Sequence, residues 1–159
     1  MQTANKKVIN SWAMYDWANS VYNLVITSTI FPAYFETIAR NNPNTNEVNF
    51  IGRTYNNTSL NTYALSISFF IVALLSPILS SIADSRGNKK SFLRFFMTIG
   101  SLACCGLFFF TGISTLWIGI ICMMIACIGY WSSLVFYNSY LPEIAAPRSE
   151  EHTSELQSH

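Results

Sequence analysis

Charge is what this sequence has least of. Asp, Glu, Lys and Arg make up 11% of its 159 residues, against roughly 25% in a soluble domain. That excludes an ordinary soluble surface. The net charge is only +1. There is no basic arm and no interleaving of basic with aromatic residues, so nothing points to a nucleic acid as partner. Both histidines, His152 and His159, lie in the final stretch of the chain. The four cysteines (Cys104, Cys105, Cys122 and Cys127) sit inside apolar runs, and their spacing is neither CxxC nor a zinc pattern. They read as small, polarizable packing residues. No nucleophile stands beside a base, no metal cluster forms, and no phosphate loop is present. The chain therefore reads as a non-enzyme without a cofactor.

What the sequence has in place of charge is length of apolar run. Hydrophobic residues are 51% of the chain and aromatics 15%. A bilayer is crossed by about 20 consecutive apolar residues, and four segments qualify, at about residues 12–38, 60–83, 92–112 and 116–141. The expected fold is all-α, a polytopic membrane protein whose last two helices form a tight hairpin through residues 113–115. Lys6 and Lys7 resemble the start of a leader peptide. The apolar run after them is too long, and no small-residue cleavage site closes it, so it reads as a signal anchor.

Short-loop cations set the orientation. Lys6, Lys7, Arg86, Lys89, Lys90 and Arg94 fall on one side, and Arg40 and Arg53 on the other. This predicts a cytoplasmic N-terminus and a cytoplasmic 84–91 loop, in what reads as a bacterial inner membrane. Loop 40–59 is then outside, and its many asparagines suit turns. Asn56 and Asn57 each begin an N-x-[ST] sequon, which matters only in a glycosylating compartment.

Polar residues inside the apolar segments are the candidates for function. Asp16, Asn19, Asn23 and Thr27 follow an i, i+3, i+7, i+11 spacing, which predicts one shared helical face. An Asp at the centre of a lipid-facing helix costs about 2.5–3.5 kcal/mol on insertion scales, so this face is expected to look inward. It could bond neighbouring helices or line a solute path, and Asp16 admits a coupling proton or cation. The second segment has a quieter stripe: Tyr63, Ser66, Ala73, Ser76, Ser80 and Asp84. Pro32 and Pro77 interrupt the first and second segments and are expected as bending points or as tolerated breaks. Glycines 100, 106, 112, 119 and 129 form no GxxxG motif. Tyr130, Ser133 and Tyr137 share a face of the fourth segment.

The stretch SSIADSRGNKKSF (80–92) is more specific. An acid ends the second segment, Gly87 permits a tight turn, and cations follow. Its order resembles the loop between helices 2 and 3 of the major facilitator superfamily, Gly-x-Leu-Ala-Asp-Arg-x-Gly-Arg-Lys. Ile82, Ala83, Asp84, Gly87 and Lys89 match that pattern, while Ser80, Ser85 and Asn88 depart from it. Beside it stand SWAMYDWANSVYN (11–23) and FYNSYLPEI (136–144). Together these resemble the vacuole-effluxer-like branch of that superfamily, over about residues 8–147. The resemblance implies twelve helices in two halves around a site that opens alternately to each side. It also implies that Asp84, Gly87 and Lys89 form a cytoplasmic latch loop and that the solute is small. On this reading residues 1–147 are the N-terminal part of a transporter domain whose C-terminal helices are missing. Residues 148–159, RSEEHTSELQSH, resemble a translated sequencing adapter. The fragment itself is expected to be inactive. A complete four-helix membrane scaffold or assembly subunit is the alternative.

Overall fold

The computed structural model describes residues 6–40, 44–84 and 89–139. The chain opens with α1 (Lys6–Tyr22), widens into a π-helical segment (Asn23–Thr29), and returns to α geometry in α2 (Ile30–Ile38). Helix is thus unbroken from residue 6 to residue 38, though not of one period. The local sequence explains the widening. Pro32 has no N–H to offer the Ser28 carbonyl, and its ring presses on that carbonyl. Val25, Ile26, Thr27 and Thr29 are β-branched and crowd an α turn. The chain answers with longer steps, and the Ile30 N–H bonds the Val25 carbonyl, five residues back.

Residues 40–59 hold more than turns. β1 (Glu47–Phe50) and β2 (Arg53–Asn56) pair antiparallel, with Glu47 opposite Asn56 and Phe50 opposite Arg53. The connection is two residues, Ile51 and Gly52, with φ of 51° and 71°. Positive φ at both positions is the I′ pattern, whose twist matches that of the strands. Isoleucine is a poor residue for it, which is why the hairpin does not announce itself in the sequence.

Three long helices follow: α3 (Asn57–Asp84), α4 (Lys89–Gly106) and α5 (Leu116–Asn138). Short 3₁₀ turns at Leu107–Phe109 and Ile113–Thr115 join the last two. With these turns included, Asn57–Ile82, Lys89–Phe109 and Ile113–Asn138 are each long and apolar enough to cross a membrane. A 26-residue span is about 39 Å long, more than the ~30 Å hydrocarbon core. The π segment divides the first helix into α pieces of 17 and 9 residues. Pro77 sits inside α3 without ending it.

α5 is the centre of the bundle and packs against both α3 and α4. Glycine makes the α4–α5 approach possible. A Cβ on Gly129 would stand 2.9 Å from the Gly100 backbone and 2.9 Å from the Phe96 carbonyl oxygen. These glycines lie on different helices, so no motif within one helix reveals the pairing. One hydrophobic cluster gathers Phe31, Phe35, Val48, Leu60, Phe110 and Leu116 at the hairpin end. A second, around Leu79 and Phe136, closes the opposite end. Phe70, Leu74, Phe95 and Leu102 are more than half exposed. Apolar surface on this scale belongs against lipid, and the protein is an all-α multi-pass membrane protein.

Candidate functional site

Asp16, Asn19 and Asn23 lie within about 60° of one another round the first helix, but they are not equally buried, and Thr27 falls inside the π segment. Asp16 and Asn23 are exposed, whereas Asn19 and Thr27 are half-buried. At about 100° per residue, Asn19 sits some 60° round the helix from Asp16 while Asn23 nearly returns to it. Beyond Asn23 the period is that of a π helix, so a spacing counted in 3.6-residue turns no longer holds. Thr27 ends in a separate small cavity with Tyr22, Asn61 and Met123.

The face of α1 that turns to the bundle is Tyr15, Asn19 and Tyr22, spaced i, i+4, i+7. These residues line one wall of a groove of about 400 Å³; Phe96, Gly100 and Cys104 of α4 with Ala126, Tyr130 and Ser133 of α5 form the other walls. Aromatic contacts hold α1 to α5. Trp12 and Tyr15 both stack on Tyr137, at centroid distances of 5.0 and 4.7 Å, and Tyr22 stacks on Tyr130 at 4.4 Å. The Tyr15 hydroxyl donates to Ser133 Oγ at 3.3 Å, and the Tyr137 hydroxyl donates to the Trp12 carbonyl at 3.2 Å. Ser133 Oγ donates in turn to the Tyr130 carbonyl at 2.7 Å. The face of Tyr130, Ser133 and Tyr137 is therefore where α1 docks. Its partners Tyr15 and Tyr22 escape a search for polar stripes, although their spacing with Asn19 is the signal that finds them.

Asn19 is the distinctive residue of the groove. Its Nδ2 is buried and has no hydrogen-bond partner among the described residues. A buried amide donor left unmade costs about 1–3 kcal/mol; Nδ2 has no accessible surface of its own and meets an acceptor only when the packing around it shifts. The described lining carries no formal charge. Asp16 is within electrostatic range of Tyr130 and Tyr137 but lies outside the lining. The size suits a small molecule, and π turns recur at functional sites.

Between α3 and α4, Asp84 is the last residue of the former and Lys89 the first of the latter. Gly87 and the side chain of Asp84 lie outside the described residues. An acid at a helix C-terminus and lysines at a helix N-terminus both oppose the helix dipole, by about 0.3–1 kcal/mol each.

The match to known proteins covers nearly the whole chain. The family model described as "Vacuole effluxer Atg22 like" matches residues 4–159. The chain belongs to this vacuole-effluxer Atg22-like family. It is 34% identical over 136 residues to YxiO, an MFS-type transporter of Bacillus subtilis (strain 168), covering 85% of this chain and 29% of that protein. It is 26% identical over 162 residues to autophagy-related protein 22 of Pyricularia oryzae, covering 87% of the chain and 24% of that protein. The Neurospora crassa protein of the same name is 28% identical over 160 residues, covering 87% of the chain and 22% of that protein. The chain thus spans less than a third of the length of these relatives. No solved structure matches it.

Proposed function

We propose that these helices belong to a secondary transporter that exports a small solute by alternating access, and that the groove beside Asn19 is part of the solute path. A single observation carries this reading: a groove of about 400 Å³ walled by tyrosines, with Asn19 in its lining and the Asn19 amide donor buried and unpartnered among the described residues. A scaffold would gain nothing from such a group, since its burial costs stability. Efflux is supported by the family description, and an amino acid is the proposed solute class. Its apolar side chain would suit the tyrosine rings, and its carboxylate would accept from Asn19.

The exposed face of Asp16 and Asn23 is completed by the rest of the transporter, because lipid there would be costly. Asp16 is the proposed site for a coupling proton or cation. Asp84, Gly87 and Lys89 form the cytoplasmic latch, with the N-terminus on the same side of a bacterial inner membrane. The 159-residue chain by itself is inactive, since the opposing half of the cavity is not among its helices. Residues 148–159 are proposed as a non-native tail, although the family match runs through them. Reading the source DNA across codon 147 with a different library chemistry decides that point.

The test of function uses proteoliposomes. The chain alone is expected to give no solute flux above empty vesicles. The parent transporter is expected to export radiolabelled apolar amino acids, and Asn19→Leu is expected to lower its rate about tenfold, the loss of one hydrogen bond to a charged acceptor. Flux through the chain alone, or an undiminished Asn19→Leu parent, would sink the proposal.

A further inference from the structure

We infer that the π segment Asn23–Thr29 is a hinge. On this inference α2 is held fixed, and α1 swings about the π turn to open and close the groove. The two halves of the first helix are held in very different ways. α2 is fastened on three sides. Asn57 Nδ2 donates to the Glu36 carbonyl at 2.8 Å, and Thr58 Oγ1 donates to Glu36 Oε1 at 2.9 Å. The Tyr34 hydroxyl donates to the Phe110 carbonyl at 2.8 Å. Phe31 and Phe35 are buried in the cluster that also contains Val48 of the hairpin. Moving α2 would break all of these at once.

α1 has no buried residue among those whose side chains are described. Among the described residues it meets α5 through stacked rings and through hydrogen bonds of 3.2 and 3.3 Å. Stacked rings slide at little cost compared with a packed core. Away from the groove Met14 and Trp17 are more than half exposed. On its near side lies the groove, with room for the helix to close into.

The backbone between the halves is already out of register. Thr29 has φ −125° and ψ −70°, outside the helical basin. The Ile30 N–H reaches back to Val25, and Pro32 contributes no N–H to the ladder. A turn with a lengthened hydrogen-bond ladder bends with less loss than an α turn. The hinge is independent of whether the groove carries solute, because its signature is a distance and not a flux.

The experiment is pulsed electron–electron distance measurement on the full chain in lipid nanodiscs, with Cys104, Cys105, Cys122 and Cys127 replaced by Ala. One spin-label pair, Met14→Cys with Phe95→Cys, reports α1. The other, Ala33→Cys with Phe109→Cys, reports α2. The α1 distribution is expected to be roughly twofold broader than the α2 distribution, as hinge motions on the μs–ms scale produce. Deleting Ser28, which removes one residue from the π segment, is expected to narrow the α1 distribution to the width of the other. Pro32→Ala, which returns the missing donor without changing length, is expected to narrow it too, and decides the matter if the deletion fails to fold. Equal widths in the unaltered chain overturn the hinge. So does an α1 width unchanged by Pro32→Ala.

Discussion

Asn57 is polar, 1% exposed, and placed where three elements meet. Its side-chain amide donates to the carbonyl of Glu36, its Oδ1 accepts from the Thr58 N–H at 2.8 Å, and its own N–H donates to the Asn46 carbonyl at 2.9 Å. The same burial makes Asn57 a poor glycan acceptor, although it begins a sequon; the exposed Asn56 is the site offered to solvent. Asn57→Ala removes the buried bond to the Glu36 carbonyl, while the Thr58 N–H keeps Asn56 Oδ1 as acceptor at 3.1 Å. The substitution is expected to destabilise the bundle by about 1–3 kcal/mol, measured as a lowered midpoint of reversible unfolding in detergent. Gly129 works the other way, by lacking atoms. The neighbours of an added Cβ are backbone atoms of α4, which cannot rotate aside. Gly129→Ala should push α4 from α5 and cost about 1–3 kcal/mol. The same unfolding midpoint checks it, with Gly112→Ala as a control whose added Cβ meets nothing within 4 Å.

At the scale of elements, the sequence shows where helices run but not how they are built. The segments of α3, α4 and α5 are legible because lipid demands length and apolarity, and little else competes with those two signals. The π turn is not legible, because a change of period leaves the same residues in the same order. Asp16 and Thr27 therefore looked like neighbours on one face. The groove was half legible: Asn19 stood out as a polar residue in an apolar run, while Tyr15 and Tyr22 carry no charge or amide to mark them within it. The hairpin hid behind Ile51, which sits where Asn is expected. That mismatch yields a test. Ile51 is 84% exposed and has φ 51°, so it contributes strain and little packing. Ile51→Asn should stabilise the hairpin by about 1 kcal/mol, since Asn tolerates positive φ. Slower hydrogen exchange of the β1 and β2 amides would show it, and unchanged exchange would mean that the turn is not strained.

For the whole molecule, the question is which end faces which compartment. The two ends are built differently. The hairpin end is clamped by Asn57, Tyr34 and Val48 and carries Arg40 and Arg53. The opposite end carries Lys89, Lys90 and Arg94 at the start of α4 and joins its helices through the short 85–88 connection. Translocating a lysine cluster across an energised membrane is unfavourable, so the lysine end should stay in the cytoplasm. The hairpin then faces outward, above the fixed α2, and the mobile α1 faces inward. The prediction can be checked in intact bacteria with single cysteines in a background without the native four. Ile51→Cys lies at the exposed tip of the hairpin and should react with a membrane-impermeant maleimide added outside the cells. Lys90→Cys should react only after the membrane is permeabilised. The reverse pattern would invert the molecule and move the proposed latch to the outside. It would also place the swinging half of helix 1 at the outer mouth of the path, leaving the hinge intact but changing which side it gates.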